Sequence, residues 1–250
     1  MTQPPNPCPI CGERAQLTFE DVIPTWLRKE SLKAWQGDGP LPARVKVRIC
    51  RGCNESLGRK FESPLAPILK RFVSGAPVVL DGATQVSIGA WIAKTSVLGL
   101  LMREQAGSEI GRTAAVELLR RLMCTGALCT GALCFPASVR LFHVSPTDDS
   151  DAALRRVVPG GVPPYPVGVY AVSTFGRFGY EFFSSTAELI ARYAQVTRTH
   201  ARSVTISPVP GDQVVWPPRH MTAQADLLAL RSAYSDRRDP GLAPTSSRGG

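Results

Sequence analysis

Two cysteine pairs carry the clearest chemistry in this chain, Cys8-Pro9-Ile10-Cys11 and Cys50-Arg51-Gly52-Cys53. Two thiolates from one tight turn fill half of a tetrahedral shell, and a second such turn closes it. Four cysteines leave no open position, so the spacing predicts a structural zinc rather than a catalytic one. A redox Cys-x-x-Cys stands alone near a βαβ pattern, and no such pattern flanks either pair. The stretch from Leu17 to Pro24 lies between the pairs and completes the organising unit.

The surrounding elements must place these residues. Residues 1–7 read as an extended arm. Leu17-Thr18-Phe19 continues as a short strand out of the first knuckle, and Pro24, which cannot donate to a ladder, ends it after Glu20 and Asp21. Thr25 is placed to cap a helix through Trp35, with Trp26, Leu27, Leu32 and Trp35 near helical spacing. Gly37 to Pro42 is a loop. Arg44-Val45-Lys46-Val47-Arg48-Ile49 alternates as a strand with its basic residues on one face. The second knuckle feeds a helix starting near Asn54, with Leu57 and Phe61 on its inner side, and Pro64 and Pro67 mark its end or a kink.

From about residue 76 the texture changes. Thr84 is placed to cap a helix to about Ala106, apolar on most faces and therefore the buried centre of a second domain. Residues 108–123 form an amphipathic helix. Cys124, Cys129 and Cys134 head a tandem five-residue repeat whose spacing does not resemble a zinc knuckle, and buried thiols are expected there. Strands are expected at 138–144 and 204–207, and a hairpin around Gly176 joins 167–174 to 178–183. Residues 148–166 are a Gly/Pro-rich connection, 187–196 a short helix, and 214–218 a stiff segment that pins an edge. Thr222 is placed to cap a last helix to Tyr234, and 236–250 are expected to be disordered.

The chain has 250 residues and a net charge of +9. Residues 1–72 contain 12 Lys/Arg against 7 Asp/Glu, so a basic module surrounds the cysteines. That balance points to a polyanionic partner, with nucleic acid the first choice. No basic-then-apolar leader opens the sequence and no apolar run is long enough to span a bilayer, so a cytoplasmic protein without membrane contact is expected. Cysteines kept as zinc ligands agree with a reducing compartment.

Cys-x-x-Cys, then Glu20-Asp21-Val22-Ile23-Pro24, then Cys-x-x-Cys-Asn54 resembles the HNH endonuclease family of the type stapled by a four-cysteine zinc. The resemblance covers roughly residues 8–63. It extends to a group in which a helix with Trp-x-x-Lys-Thr follows, here Trp91-Ile92-Ala93-Lys94-Thr95. It implies a treble-clef-like ββα finger around one Mg²⁺ or Mn²⁺. By position, Glu20 and Glu62 match the metal ligands and Asn54 the central Asn that orients the hairpin or the base. Asp21 stands where the family has its general-base His. The histidines, His143, His200 and His220, all lie far outside this stretch.

The reaction implied is metal-assisted hydrolysis of a phosphodiester. An ordinary Asp is about 2.6 pKa units less basic than His, about 3.5 kcal/mol of proton affinity, only part of which reaches the barrier. Partial burial beside Glu20 would restore some basicity to Asp21, and metal binding by Asp21 would acidify the water instead. Glu20 and Asp21 point to opposite faces of a regular strand, so one cation reaches both only where the strand bends or bulges. Arg28, Lys29, Arg51, Arg59 and Lys60 would flank the site and hold phosphates.

The expected class is α+β: a zinc-bound HNH-like ββα finger at 1–75, a larger α+β domain of unknown role at 76–235, and the tail. The expected function is a DNA endonuclease with Asp21 as base or extra ligand. The alternative is a catalytically silent zinc module that binds nucleic acid or a protein partner.

Overall fold

Alternation at Val47 and Ile49 builds the first hairpin of the structure, a computed structural model that describes residues 7–14, 16–34, 46–102, 109–125, 137–145, 158–160, 169–184, 203–207 and 213–222. Strand β1 (Leu17–Asp21) pairs antiparallel with β2 (Lys46–Cys50), Leu17 opposite Cys50 and Asp21 opposite Lys46. Val47 and Ile49 are buried while Arg48 is exposed, as the alternation requires. Helix α1 (Thr25–Ala34) lies in the connection. The Pro24 carbonyl accepts from the Arg28 N–H at 3.2 Å, so Thr25 already sits in the first turn instead of capping it.

Helix α2 (Arg51–Leu57) begins on the second knuckle itself, three residues earlier than predicted. Its cap is a sulfur: Cys50 Sγ accepts from the Cys53 N–H at 3.4 Å. The helix widens into a π-helical turn (Gly58–Glu62), where the Ser63 N–H reaches back to the Gly58 carbonyl. Leu57 and Phe61 are buried, as expected. Pro64 falls in the break before α3 (Ala66–Ser74), and Pro67 takes an early position in that helix where a missing N–H costs nothing.

Strand β3 (Val78–Leu80) was not predicted, since three residues carry too short a pattern. It pairs with β9 (Val214–Trp216), so the stiff segment does pin an edge. Helix α4 (Gly82–Met102) is capped by Asp81, not Thr84: the Asp81 carboxylate accepts from the Thr84 N–H at 2.7 Å. From Ala90 to Leu98 every residue of α4 is buried. Helix α5 (Glu109–Thr125) packs on it, and Cys124 near its end is exposed, which corrects the expectation of a buried thiol.

The large sheet joins β4 (Ala137–Val144), β5 (Val158–Gly160), β6 (Val169–Phe175), β7 (Phe178–Ser184), β8 (Ser203–Ser207) and β10 (Met221–Thr222). Its order is β10-β4-β7-β6-β5, with β8 also on β4. Thr222 therefore ends a strand, where a helix cap was expected. The β6–β7 hairpin turns at Gly176, whose φ of 55° suits glycine and where a Cβ would lie 2.7 Å from the Val73 carbonyl oxygen. Helix α4 lies between the sheet and the cysteine-bearing hairpin, touching β2 and the π-helical turn as well as β5 to β8. One continuous core results, from Cys8 and Ile49 through Phe61 and Trp91 to Phe182.

The arm apart from Pro7, Trp35, the loop 37–42, Cys129 and Cys134, the connection apart from 158–160, the helices at 187–196 and beyond Thr222, and the tail lie outside the described residues. No described helix is long and apolar enough to cross a membrane.

His143 on β4 packs edge-on against Trp216 at 5.9 Å and is buried. Burial, then the charge of Arg177, holds its imidazole below the ordinary 6.5. A depressed histidine is neutral in the native state and takes a proton more readily once unfolded. Its contribution is complete above the unfolded pKa and is lost as pH falls through the folded one. Urea unfolding should show stability declining below about pH 6.5, with a shallower decline in His143→Phe. Identical slopes would contradict this.

Candidate active site

The four cysteine sulfurs all lie within 4.8 Å of one another and form a group able to hold a metal ion. Backbone geometry sets this. The first knuckle turns through Gly12 at φ 80°, with the Gly12 N–H on the Cys8 carbonyl at 2.8 Å. The Cys50 N–H then points at Cys8 Sγ at 3.4 Å, which locks the knuckles together. Cys11 Sγ and Cys50 Sγ are 3.7 Å apart, close to the edge of about 3.8 Å that a tetrahedron of thiolates at about 2.3 Å from zinc requires. Burial alone would raise the Cys8 thiol, yet backbone donors led by Cys50 outweigh it and bring the group down to about 7. Cys53 is pushed up, by burial and then by the crowding of Cys50, Cys8 and Cys11. A bound cation removes that conflict by taking all four as thiolates.

The knuckles fix β1 against the start of α2, and an open cleft of about 600 Å³ lies beside them. Glu20, Asp21, Asn54 and Glu62 all line it. Asn54 lies within α2 and ties the helix to the hairpin. Its Nδ2 donates to Thr18 Oγ1 at 3.1 Å and to the Phe19 carbonyl at 3.3 Å. Asp21 accepts a hydrogen bond from Thr25 Oγ1 at 3.0 Å, and Thr25 in turn accepts from Arg28 Nη2 at 3.2 Å.

The centre of the site is a residue on another element. Lys94 of α4 is wholly inaccessible to solvent and its Nζ donates to both Glu20 Oε1, at 3.2 Å, and Glu62 Oε1. Burial pushes the Glu20 carboxyl above its ordinary value; the Lys94 charge opposes this, while Glu62 and Asp21 add to it. One lone lysine in an apolar helix is the signal that could have found it, because a buried charge must be paired.

The resemblance implies a divalent cation on Glu20 and Glu62, with Asp21 as base or extra ligand, and the two glutamates do not fit one as they stand, since Lys94 Nζ already bonds to both. The β1–β2 register is unbroken from Leu17 to Asp21, with no bulge. Glu20 bonds to Lys94 while Asp21 bonds to Thr25, and both border the same cleft. Among the described residues, the cysteines alone bring three or more metal-ligating side chains that close together.

The expected phosphate contacts divide. Lys29 is exposed and lines the cleft, as does Lys46, which the expectation missed. Arg28 is buried behind Thr25 and is no surface cation, which corrects that assignment. Arg51 is exposed but paired with Glu55 at 2.6 Å, Lys60 donates to the Met123 carbonyl, and Arg59 is exposed. Phe19 is 61% exposed, with Lys46 5.3 Å and Arg48 5.7 Å from its ring centre.

No protein-family model, no curated protein and no solved structure matches this chain. Any functional reading therefore stands on the cleft itself.

Proposed function

We propose that the chain is a zinc-stapled endonuclease of HNH type that hydrolyses DNA phosphodiesters in this cleft. The observation that carries the reading is that Glu20, Asp21, Asn54 and Glu62 line one opening together with Lys29 and Lys46. The order β1, α1, β2, α2, with β1 paired to β2, agrees with a ββα arrangement carrying a helix in its hairpin connection, and the sulfur spacing agrees with zinc.

In this reading Lys29 and Lys46 hold the phosphate, and Phe19 offers an aromatic face to a base or sugar. Asp21 takes the proton from water as the water oxygen bonds to phosphorus. The bond from phosphorus to the leaving sugar oxygen breaks, and that oxygen takes a proton from solvent. Asn54 keeps β1 in register with α2, so Asp21 stays aimed at the cleft. The Mg²⁺ or Mn²⁺ that the resemblance implies does not fit the acids as Lys94 holds them, so no step runs through it.

Plasmid nicking tests this. Wild-type protein should nick supercoiled DNA, and Asn54→Ala and Glu62→Ala should each lose about a hundredfold or more. Equal activity in all three, or none in any, would sink the enzyme.

The second reading, a module that binds nucleic acid without cutting it, is favoured by the bonds that already occupy the acids. Lys94 takes both glutamates and Thr25 takes Asp21. A salt-sensitive shift of DNA on a gel without nicking would select it.

A further inference from the structure

We propose that the buried Lys94 ammonium stands where a catalytic divalent cation is expected, so that the acids of the cleft are neutralised from within the protein. The further consequence, that the cleft acts on a phosphodiester with no metal ion of its own, rests on the reading above.

Three observations converge. First, Lys94 has no exposed surface and rises from the stretch of α4 buried without interruption from Ala90 to Leu98. Its ammonium is shielded from water between the two carboxylates. Second, the same nitrogen already bridges Glu20 and Glu62, which come from the hairpin and the π-helical turn. A divalent ion on those carboxylates would sit against a positive charge, and the protein interior screens that repulsion weakly. Third, among the described residues no third metal-ligating side chain joins Glu20 and Glu62 within ligand distance, although Asp21 borders the same cleft. Cation and lysine are alternatives here, and the fold has installed the lysine. Lys94 is thus a positioning residue: it touches the two acids and holds the hairpin and helix at a fixed separation.

The test is Mn²⁺ binding followed by electron paramagnetic resonance on the full, zinc-loaded chain. Wild type should leave the free Mn²⁺ signal undiminished up to about millimolar concentration. Lys94→Met should acquire about one bound Mn²⁺ and gain thermal stability from it, and adding Glu62→Gln should abolish both effects. A purely structural lysine would not create an ion site on its removal. Wild-type binding of Mn²⁺ that Glu62→Gln weakens by about tenfold or more would overturn the proposal. The wild-type titration decides the matter even if Lys94→Met does not fold. Nicking separates the two readings: an absolute need for Mg²⁺ ends this proposal and leaves the nuclease. The Mn²⁺ pattern without nicking ends the nuclease and leaves Lys94 in its assigned place.

Discussion

Cys50→Ser is expected to lose bound zinc and with it the ordered structure of the N-terminal hairpin. Cys50 serves the cluster in three ways. Its sulfur lies 3.7 Å from that of Cys11, it accepts the Cys53 N–H, and its own N–H points at Cys8 Sγ. Structural zinc contributes roughly 10–16 kcal/mol in small modules, against total stabilities of about 5–15 kcal/mol for whole domains. Losing even a third of that is enough to open the unit. The effect should reach further than the hairpin, because Cys8, Cys50 and Cys53 belong to the same apolar core as Trp91 and Phe182. Elemental analysis should give about one zinc per wild-type chain and almost none in the variant, with a large fall in melting temperature. Equal zinc in both proteins would contradict the assignment.

The second large effect is expected at Lys94→Met. The substitution keeps much of the side-chain volume and removes the charge, leaving two largely buried carboxylates without the cation that bridged them. Removing one partner of a buried ion pair costs about 3–5 kcal/mol, far more than an exposed pair is worth. In a chain of this size that corresponds to a fall of about 6–20 °C in melting temperature. The pH dependence follows from Glu20, whose carboxyl is already raised by burial. A carboxyl with a folded pKa above its unfolded one binds more protons when native. Its contribution is complete below the unfolded pKa of about 4.5 and is lost as pH rises through the folded value. The stability deficit of Lys94→Met should therefore be largest at neutral pH and shrink as pH falls towards about 4.5. A deficit independent of pH would mean that Lys94 acts through packing alone.

Some of this was legible from local spacing and some was not. The cysteine cluster was, because two residues between ligands fix a knuckle without knowledge of the rest of the chain. The alternation at Val47 and Ile49 and the turn at Gly176 were legible for the same reason, and both appear where expected. Arg28 could not be assigned from sequence, since a basic residue one position from Lys29 reads the same whether it faces water or the back of Thr25. The partner of the acids was harder still. Lys94 lies 74 residues from Glu20 and 32 from Glu62, and only the docking of α4 against the hairpin brings them together. The short strands β3 and β10 carry too few residues to show a period, so they emerge only when β9 and β4 provide partners. The sequence set a bend or bulge as the condition for Glu20 and Asp21 to reach one cation; the register runs unbroken from Leu17 to Asp21, and the two acids hold different partners beside one cleft.

Whether the cleft cuts DNA is the question on which the account turns, and single-turnover nicking of supercoiled plasmid by zinc-loaded protein, wild type beside Asn54→Ala, answers it most directly. Asn54 Nδ2 bonds to Thr18 Oγ1 and to the Phe19 carbonyl, which ties β1, with Asp21 at its end, to α2 beside the cleft. The account predicts nicking by wild type and a loss of about a hundredfold in a variant that still folds and still carries its zinc. Nicking at the same rate by both proteins, or an inert wild type that binds DNA, would contradict it.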